Sequence, residues 1–182
     1  MKRLGKYILI AILLFNTEIL CQFSNEHIGI QLGLGSIKGN SPAQSSLAGS
    51  LSFGFNHMLL GDIGLRFGYI YARKVNYFLP ENSRGKYYPF LQAVSVMATI
   101  EQELQHNLFV EEGMGFCAVN DRTFSDINEW AYGVVFSVMA GWDLRDRLNK
   151  GLKIGFNAES ALTFTSTTAS YFILGIKGLY YY

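Results

Sequence analysis

The chain has 182 residues, enough for one domain with a complete core or barrel. Its 15 Lys and Arg nearly balance 14 Asp and Glu without a run of either sign, which argues against a nucleic-acid partner, because phosphate binding needs clustered basic residues. An aromatic content of 15% is high and a charged content of 16% is low, but neither separates a soluble barrel from a membrane barrel.

The N-terminus has the pattern of a secretory signal peptide, with the basic start MKRLGK followed by a short apolar run at 7–15. We predict cleavage after Cys21, which makes residues 1–21 the signal peptide and 22–182 the mature domain. Two alternatives stay open: a permanent anchor, for which the run is short, and a lipid on Cys21, whose preceding residues lack lipobox features. If Cys21 leaves with the signal, Cys117 has no partner for an intrachain disulfide.

The mature chain has no apolar run of the roughly 20 residues that a spanning helix needs. Its longest apolar stretches, 90–100 and 131–142, are too short. If this chain lies in a membrane, it must therefore form a closed β-barrel, the other structure that satisfies every backbone group in lipid.

Apolar residues alternate with small or polar residues in eight segments, the pattern of half-buried strands. In chain order the segments are 27–36, 47–56, 62–73, 88–103, 108–119, 132–144, 151–160 and 171–182. The fifth is the least regular, and helical periodicity fits none of them. The sequence predicts an all-β fold, an eight-stranded antiparallel up-and-down barrel.

The connections between these segments alternate in length. Those at 36–46, 73–86, 120–130 and 163–170 are long and polar, whereas those near 57–61, 103–107 and 145–150 are short. Outer-membrane barrels place long loops outside the cell and short turns in the periplasm. With an even number of strands, we expect both termini to be periplasmic.

Residue size decides which face of the barrel is outside. A soluble lipocalin-like barrel is apolar inside, and a transmembrane barrel is the reverse. One face here is mostly Gly, Ala and Ser with single charges, which suits a narrow lumen. The other face is an almost unbroken set of Leu, Ile, Val, Phe and Tyr, which would aggregate a soluble monomer but is required in lipid. We therefore predict a transmembrane barrel.

Aromatic residues concentrate near the ends of the predicted strands, as expected for the two membrane interfaces. Those predicted near the outer rim are Tyr69, Tyr71, Tyr88, Phe90 and Trp130, and those near the inner rim are Phe53, Phe55, Trp142, Tyr180 and Tyr182. Glu111 and Glu112 are adjacent, so strict alternation points one of them at lipid, and a β-bulge that turns both inward is the alternative.

Seven ionisable residues fall on the small-residue face and are predicted to form a charge network in the lumen. They are Arg66, Glu101, Glu111, Asp143, Lys153, Glu159 and Lys177. Buried charges persist when they are paired, and eight strands leave an interior that side chains can fill. We expect the network to close the lumen and stabilise the fold. The alternative is that several of these groups lie at the rims in water.

The Gly-alternating strands, such as IGIQLGLG and GDIGLRFGYIY, and the C-terminal FILGIKGLYYY resemble the small eight-stranded OmpA/OmpX-like outer-membrane β-barrels across residues 26–182. Members of that superfamily end in an aromatic residue preceded by alternating apolar residues, which the barrel assembly machinery reads as a signal. The resemblance assigns this signal to Phe172, Leu174, Ile176, Tyr180 and Tyr182. Gly178 and the terminal Tyr, where Phe is commonest, depart from the pattern.

The sequence gives little support for an enzyme. Some barrels of this kind modify lipid A with a His, a Ser and an acid near the outer leaflet, but His27, His57 and His106 are all predicted at the periplasmic end. No two His are close, and a lone Cys117 is more often a small packed residue than a ligand. The glycines of GLGSIKGN lack phosphate-loop spacing. We predict no catalytic residue, no metal site and no cofactor.

The sequence thus predicts an exported, monomeric, non-enzymatic outer-membrane barrel of a Gram-negative bacterium, with an envelope or surface role. Residues 74–88 and 120–130 are the loop segments favoured for contacts, with no ligand identified. Expected partners are outer-membrane lipids and, during biogenesis, periplasmic chaperones and the assembly machinery. The alternatives are a narrow channel for small solutes, a lipid A-modifying enzyme and a soluble carrier.

Overall fold

The computed structural model describes residues 23–40, 42–57, 61–73, 90–104, 107–122, 128–145, 150–165 and 168–182. They contain eight strands: β1 (Phe23–Lys38), β2 (Gln44–His57), β3 (Gly61–Arg73), β4 (Phe90–Glu103), β5 (Leu108–Arg122), β6 (Glu129–Asp143), β7 (Gly151–Thr163) and β8 (Ser170–Tyr181). Within these ranges, no helix is long and apolar enough to cross a membrane.

The strands form one closed antiparallel barrel in chain order, and the predicted fold is confirmed. Each strand pairs with its neighbours in sequence, and β8 closes the barrel against β1, with His27 opposite Tyr181. The start of β1 and the end of β8 therefore lie at the same end of the barrel, which we call the termini end. We call the opposite end, where β1 continues into β2, the loop end.

Alternation along each strand sets the two faces. On β1, Ile30 and Leu32 are 59% and 71% exposed on the outside, whereas Gln31 between them is buried in the lumen. The other strands repeat this pattern. It follows from the period-two geometry of a strand, which points successive side chains to opposite faces.

The connections differ from the prediction because the strands extend further than the alternating segments. Pairing continues to Ile37–Gln44 in β1–β2 and to Asp121–Glu129 in β5–β6. Residues 39–43, 123–128 and 164–169 are all that separate three of the loop-end strand pairs. Residues 144–150 at the termini end are no shorter than these three, whereas 58–60 and 104–107 are shorter, so the predicted contrast of long and short connections is clear at 74–89 and weaker elsewhere.

The adjacent acidic residues of β5 follow strict alternation. Glu111 points into the lumen and is buried, and Glu112 points outward and is exposed. The pairing of β5 with β4 and β6 runs through both residues without a shift, so no bulge turns Glu112 inward. A register shift does occur in β1, between Ser24 and His27.

The loop-end half of the lumen is apolar, which the prediction of small inner residues missed. Ile37, Leu91, Met97, Val119 and Ile173 are fully buried there in one cluster. Glycines on the inner face make room for these side chains. A Cβ on Gly33, for example, would lie 2.8 Å from Ile173 Cγ2 and from the Leu174 carbonyl.

The start of the β1–β2 connection covers the loop-end mouth of this lumen. Gly39 is buried, and the Asn40 amide donates a hydrogen bond to Asp121 Oδ2 on β5. Since β5 is opposite β1 in the closed order of strands, this contact crosses the barrel.

Candidate functional site

Arg66 on β3 is the centre of the polar network in the middle of the lumen. Its Nη1 donates to Gln31 Oε1 and to Asn157 Oδ1, each at 3.1 Å. Its Nη2 lies 3.3 Å from Glu159 Oε2 on β7, the strand opposite β3, and Tyr171 donates its hydroxyl to Glu159 Oε1 at 2.9 Å. The network therefore bridges the lumen from wall to wall.

Lys177 on β8 and Glu111 on β5 form a second cross-lumen pair. The ammonium lies 2.7 and 2.6 Å from the two carboxylate oxygens of Glu111. Both side chains are almost completely buried. A buried charge without a partner is costly, so the pair accounts for the presence of both groups on the inner face.

Lys153 on β7 is the centre of a larger group of charges at the termini end. Its buried ammonium bonds to Glu101 Oε1 and lies 3.1 Å from Glu103, 3.4 Å from Asp143 and 3.9 Å from Asp62. We call these four carboxylates with Lys153 the termini-end cluster. The four acids come from β3, β4 and β6, so the cluster ties three strands to β7.

Two further residues, Tyr181 and Arg145, pack against the termini-end cluster. Tyr181 donates its hydroxyl to Asp62 at 3.2 Å or to Glu101 at 3.3 Å, and its ring lies 4.9 Å from the Lys153 ammonium. Arg145, just after β6, bonds to Asp143 and Glu103 and places its guanidinium 4.4 Å from the centre of the Tyr181 ring. Partial burial disfavours the charged guanidinium, but hydrogen bonds and the charge of Asp143 outweigh it and raise the pKa of Arg145.

The termini-end cluster contains a group of acids of the kind that bind hard cations. Oxygens of Asp62, Glu101 and Glu103 all lie within 4.8 Å of one another. The ammonium of Lys153 contacts Glu101 and Glu103 directly. This side chain supplies the positive charge between the acids, and the geometry is that of an ion-pair network.

The titratable residues considered for chemistry do not form a catalytic set among the described residues. His27 is buried at the termini end against the Tyr181 ring, with centroids 4.6 Å apart. His57 is the last residue of β2 at that same end, and His106 lies outside the described residues. Cys117 is a buried free thiol whose Sγ lies 3.6 Å from the Val134 carbonyl.

The C-terminal strand presents its predicted residues outward. Phe172, Leu174, Ile176, Tyr180 and Tyr182 are all between 49% and 57% exposed. The last residue is fastened to β1, because its amide donates to the Glu26 carbonyl at 3.2 Å and its hydroxyl to Glu26 Oε2 at 3.0 Å. Tyr182 is therefore both an exposed residue of the outward face and a link between the end of β8 and β1.

The aromatic residues predicted at the interfaces lie toward the ends of the barrel where they are described, whereas the exposed Phe67, Phe116 and Phe136 lie near the middle of their strands. Tyr69 and Tyr71 are in the loop-end half of β3, and Trp130 is at the loop end of β6. Trp142 is at the termini end of the same strand and is half exposed. Tyr88 lies outside the described residues.

Several network members were not among the predicted charges: Gln31, Asp62, Glu103, Arg145, Asn157 and Tyr171. Some of these residues could have been found from the alternation of inward and outward positions along a strand. Asp62 shares the inner face of β3 with Arg66, and Glu103 continues the face of Glu101. Arg145 follows the end of β6, where strand periodicity gives no information.

The fold is similar to those of two proteins of known structure. Neisserial surface protein A has a TM-score of 0.56 at 6% sequence identity, with 86% of this chain and 97% of that chain covered. Ail, the attachment invasion locus protein of Yersinia pestis, in complex with the heparin analogue sucrose octasulfate, has a TM-score of 0.56 at 10% identity, covering 87% and 99%. Ail without that ligand has a TM-score of 0.54 at 10% identity.

These similarities show the fold: this chain has the closed eight-stranded architecture of small outer-membrane β-barrel proteins. No protein-family model and no curated protein matches the chain.

Proposed function

We propose that this protein is an integral outer-membrane β-barrel without enzymatic activity, with a side-chain-filled lumen and loops exposed at the cell surface. The observation that carries the proposal is the distribution of polarity. Apolar side chains cover the outside of the barrel, whereas Arg66, Lys153 and Lys177 are fully buried inside. A soluble carrier barrel has the opposite distribution.

The apolar outer surface supports lipid as the surrounding medium. Phe116 and Phe164 are each 77% exposed, and large apolar residues on all eight strands are more than a third exposed. Water-soluble monomers rarely expose patches beyond a few hundred Å². In a bilayer the same residues meet acyl chains, and closure of the barrel pairs each strand with two neighbours within the sheet.

The proposed orientation places the termini end in the periplasm and the loop end outside the cell. Residues 1–21 serve as the export signal, and Phe172, Leu174, Ile176, Tyr180 and Tyr182 serve as the signal for the barrel assembly machinery. The structural support is that Tyr180 and Tyr182 lie on the outward face, at the seam where β8 closes the barrel against β1. Periplasmic chaperones and membrane lipids are the other proposed partners, and the barrel acts as a monomer.

The filled lumen favours an envelope or surface role over a channel. Apolar side chains fill the loop-end half, the Arg66 network bridges the middle, and the termini-end cluster fills the other half together with buried Phe109, Met139 and Leu179. We expect planar-bilayer recordings of the purified protein to show no steady conductance. A constant large conductance would support the narrow-channel alternative.

The membrane proposal is tested by fractionation and by mobility on a gel. We expect the full chain, expressed in a Gram-negative host, to be found in the outer-membrane fraction after alkaline washing. Unheated protein should migrate differently from boiled protein, because a closed barrel resists unfolding in detergent. Recovery of the protein in the periplasm without detergent would support the soluble-carrier alternative.

A further inference from the structure

A bare patch interrupts the apolar outer surface at Gly49. This residue occupies an outward position of β2, between Leu32 on β1 and Tyr69 on β3. A Cβ at Gly49 would have its nearest neighbour 3.9 Å away, at the Gln31 carbonyl. The patch is part of a groove of about 830 Å³ whose walls include Leu34 and Leu174, and which we call the Gly49 groove.

A hydrogen bond keeps the Gly49 groove open. An aromatic side chain opposite a glycine in a paired strand often packs over it. Tyr69 instead donates its hydroxyl to Gln92 Oε1 on β4 at 3.2 Å, which holds the ring on the side away from β2. By contrast Gly178, an outward glycine on β8, would place a Cβ 3.7 Å from Leu152 Cδ1 and lines no part of the groove.

A second pocket, which carries polar groups among apolar ones, lies beyond the groove toward the loop end. The outward residues of β1 are in turn Leu34, Ser36 and Lys38, in steps of about 7 Å. Ser36 and Lys38 line a pocket of about 290 Å³ together with Ser160 and Ser170. Lys38 is exposed and forms no ion pair within the part of the chain that the structure describes.

The groove and the pocket share β1 and β8 and follow one another along these two strands. Leu34 pairs with Leu174, and both line the groove. Ser36 pairs with Phe172, and both line the pocket. The outer surface therefore offers the apolar Gly49 groove and, next to it, a pocket with three serine hydroxyls and the Lys38 ammonium. That sequence of chemistry matches an acyl chain followed by an anionic head group.

We propose that this surface binds one phospholipid, with an acyl chain in the Gly49 groove and the phosphate beside Lys38 and the serines. The inference rests on the proposed membrane location, since the groove is continuous with the surface that faces acyl chains. Among the described residues that line this pocket, Lys38 is the one cation, and its ammonium matches the single charge of a phosphodiester. A glycolipid with several phosphates would need several cations at this position.

The shape of the groove favours a lipid over a second copy of the chain. A two-fold dimer places the same patch against itself. Two concave grooves facing each other would leave a void, which close packing disfavours. A flexible acyl chain fills the same depression without a matching ridge.

Native mass spectrometry of the folded, detergent-solubilised protein tests the proposal, with phosphatidylglycerol as the titrant. We expect one retained lipid per chain. Gly49→Leu fills the groove and should remove that lipid, whereas Gly178→Leu, an outward glycine elsewhere, should retain it. Lys38→Gln should weaken the affinity about fivefold, the effect of one exposed ion pair. Lys150→Gln changes an exposed lysine at the termini end and should leave the affinity unaltered.

Each variant is first checked for a folded barrel by its heat-modifiable mobility, and Gly49→Ala provides a smaller change with an intermediate expected loss. Equal lipid retention by wild type and folded Gly49 variants would overturn the proposal. So would tighter binding of a multiply phosphorylated glycolipid, or a dimer that Gly49→Leu dissociates. A folded, membrane-inserted barrel without the lipid contradicts only the phospholipid site, whereas a protein that does not enter membranes contradicts the proposed function itself.

Discussion

The two halves of the lumen are closed by different physical means. In the loop-end half, Leu91, Met97 and Ile173 pack in an apolar cluster. In the termini-end half, Lys153 is enclosed by four carboxylates and the Tyr181 ring, next to a small apolar cluster of Phe109, Met139 and Leu179. Apolar packing sums many small contacts, so the loss of one side chain is shared among its neighbours. A charge network depends on single groups, because the loss of one leaves buried charges without partners.

We expect the largest effect from the last residues of the chain, because Tyr181 packs against the termini-end cluster and not against the apolar cluster of the loop-end half. Deletion of Tyr180–Tyr182 removes the ring over Lys153, the Tyr182–Glu26 link to β1 and part of the proposed assembly signal. We expect this deletion to prevent membrane insertion. The measurement is the amount of heat-modifiable barrel in the outer-membrane fraction.

Tyr181→Phe is the matched control for that deletion. It keeps the ring but loses the hydroxyl that bonds to Asp62 or Glu101. We expect this variant to assemble. Normal assembly of the truncated chain would contradict the account of the chain end.

The substitution Lys153→Met tests the charged half without shortening the chain. The four carboxylates around it would lose their central cation, and removal of one partner from a buried ion pair costs about 3–5 kcal/mol. We expect the free energy of unfolding in urea to fall by that amount. Lys150→Met, at an exposed position, is the control and should have little effect. An unchanged stability for Lys153→Met would mean that the cluster is not dry.

The substitution Leu91→Ala tests the apolar half. Leu91 is fully buried, and truncation of such a side chain costs about 3 kcal/mol. Val96→Ala, on the outward face of the same strand, is the control and should cost much less, because lipid fills the space that the methyl groups leave. Equal costs at both positions in urea unfolding would show that the inner and outer faces are packed alike.

The smallest expected effect is at the rim of the charged half. Arg145 bonds to Asp143 and to Glu103, and Glu103 is 61% exposed. Arg145→Ala should lower the free energy of unfolding by about 1 kcal/mol, as for partly exposed ion pairs. A loss as large as that of Lys153→Met would place Arg145 inside the network and not at its edge.

The strand pattern was predictable because alternation is local. Ile28, Ile30, Leu32 and Leu34 show the lipid-facing side of β1 without knowledge of any other strand. The charges on the inner face were predictable for the same reason. The partner of each charge was not, because it depends on register and on which strands lie opposite in the closed barrel. Arg66 reaches Glu159 across the lumen, 93 residues along the chain, and bonds to no acid on the adjacent β4.

The apolar cluster of the lumen was missed because its residues lie between small neighbours on the inner face. Met97 is between the inward Ser95 and Thr99, so the face looked uniformly small and polar. Three loop-end connections are shorter than predicted for another reason. Strand pairing continues through polar pairs such as Asp121–Glu129, which carry no hydrophobic alternation.

Labelling along β4 tests the central claim that the apolar face meets lipid and the polar face is enclosed. Single cysteines are placed at positions 93–100 in a Cys117→Ala background of the refolded chain in lipid bilayers. Spin labels at Val94, Val96, Ala98 and Ile100 should be accessible to oxygen dissolved in the bilayer and shielded from a water-soluble nickel relaxant. Cysteines at Ala93, Ser95 and Thr99 should react slowly with a maleimide. If the nickel relaxant reached the outward positions as readily as oxygen does, the account would be contradicted.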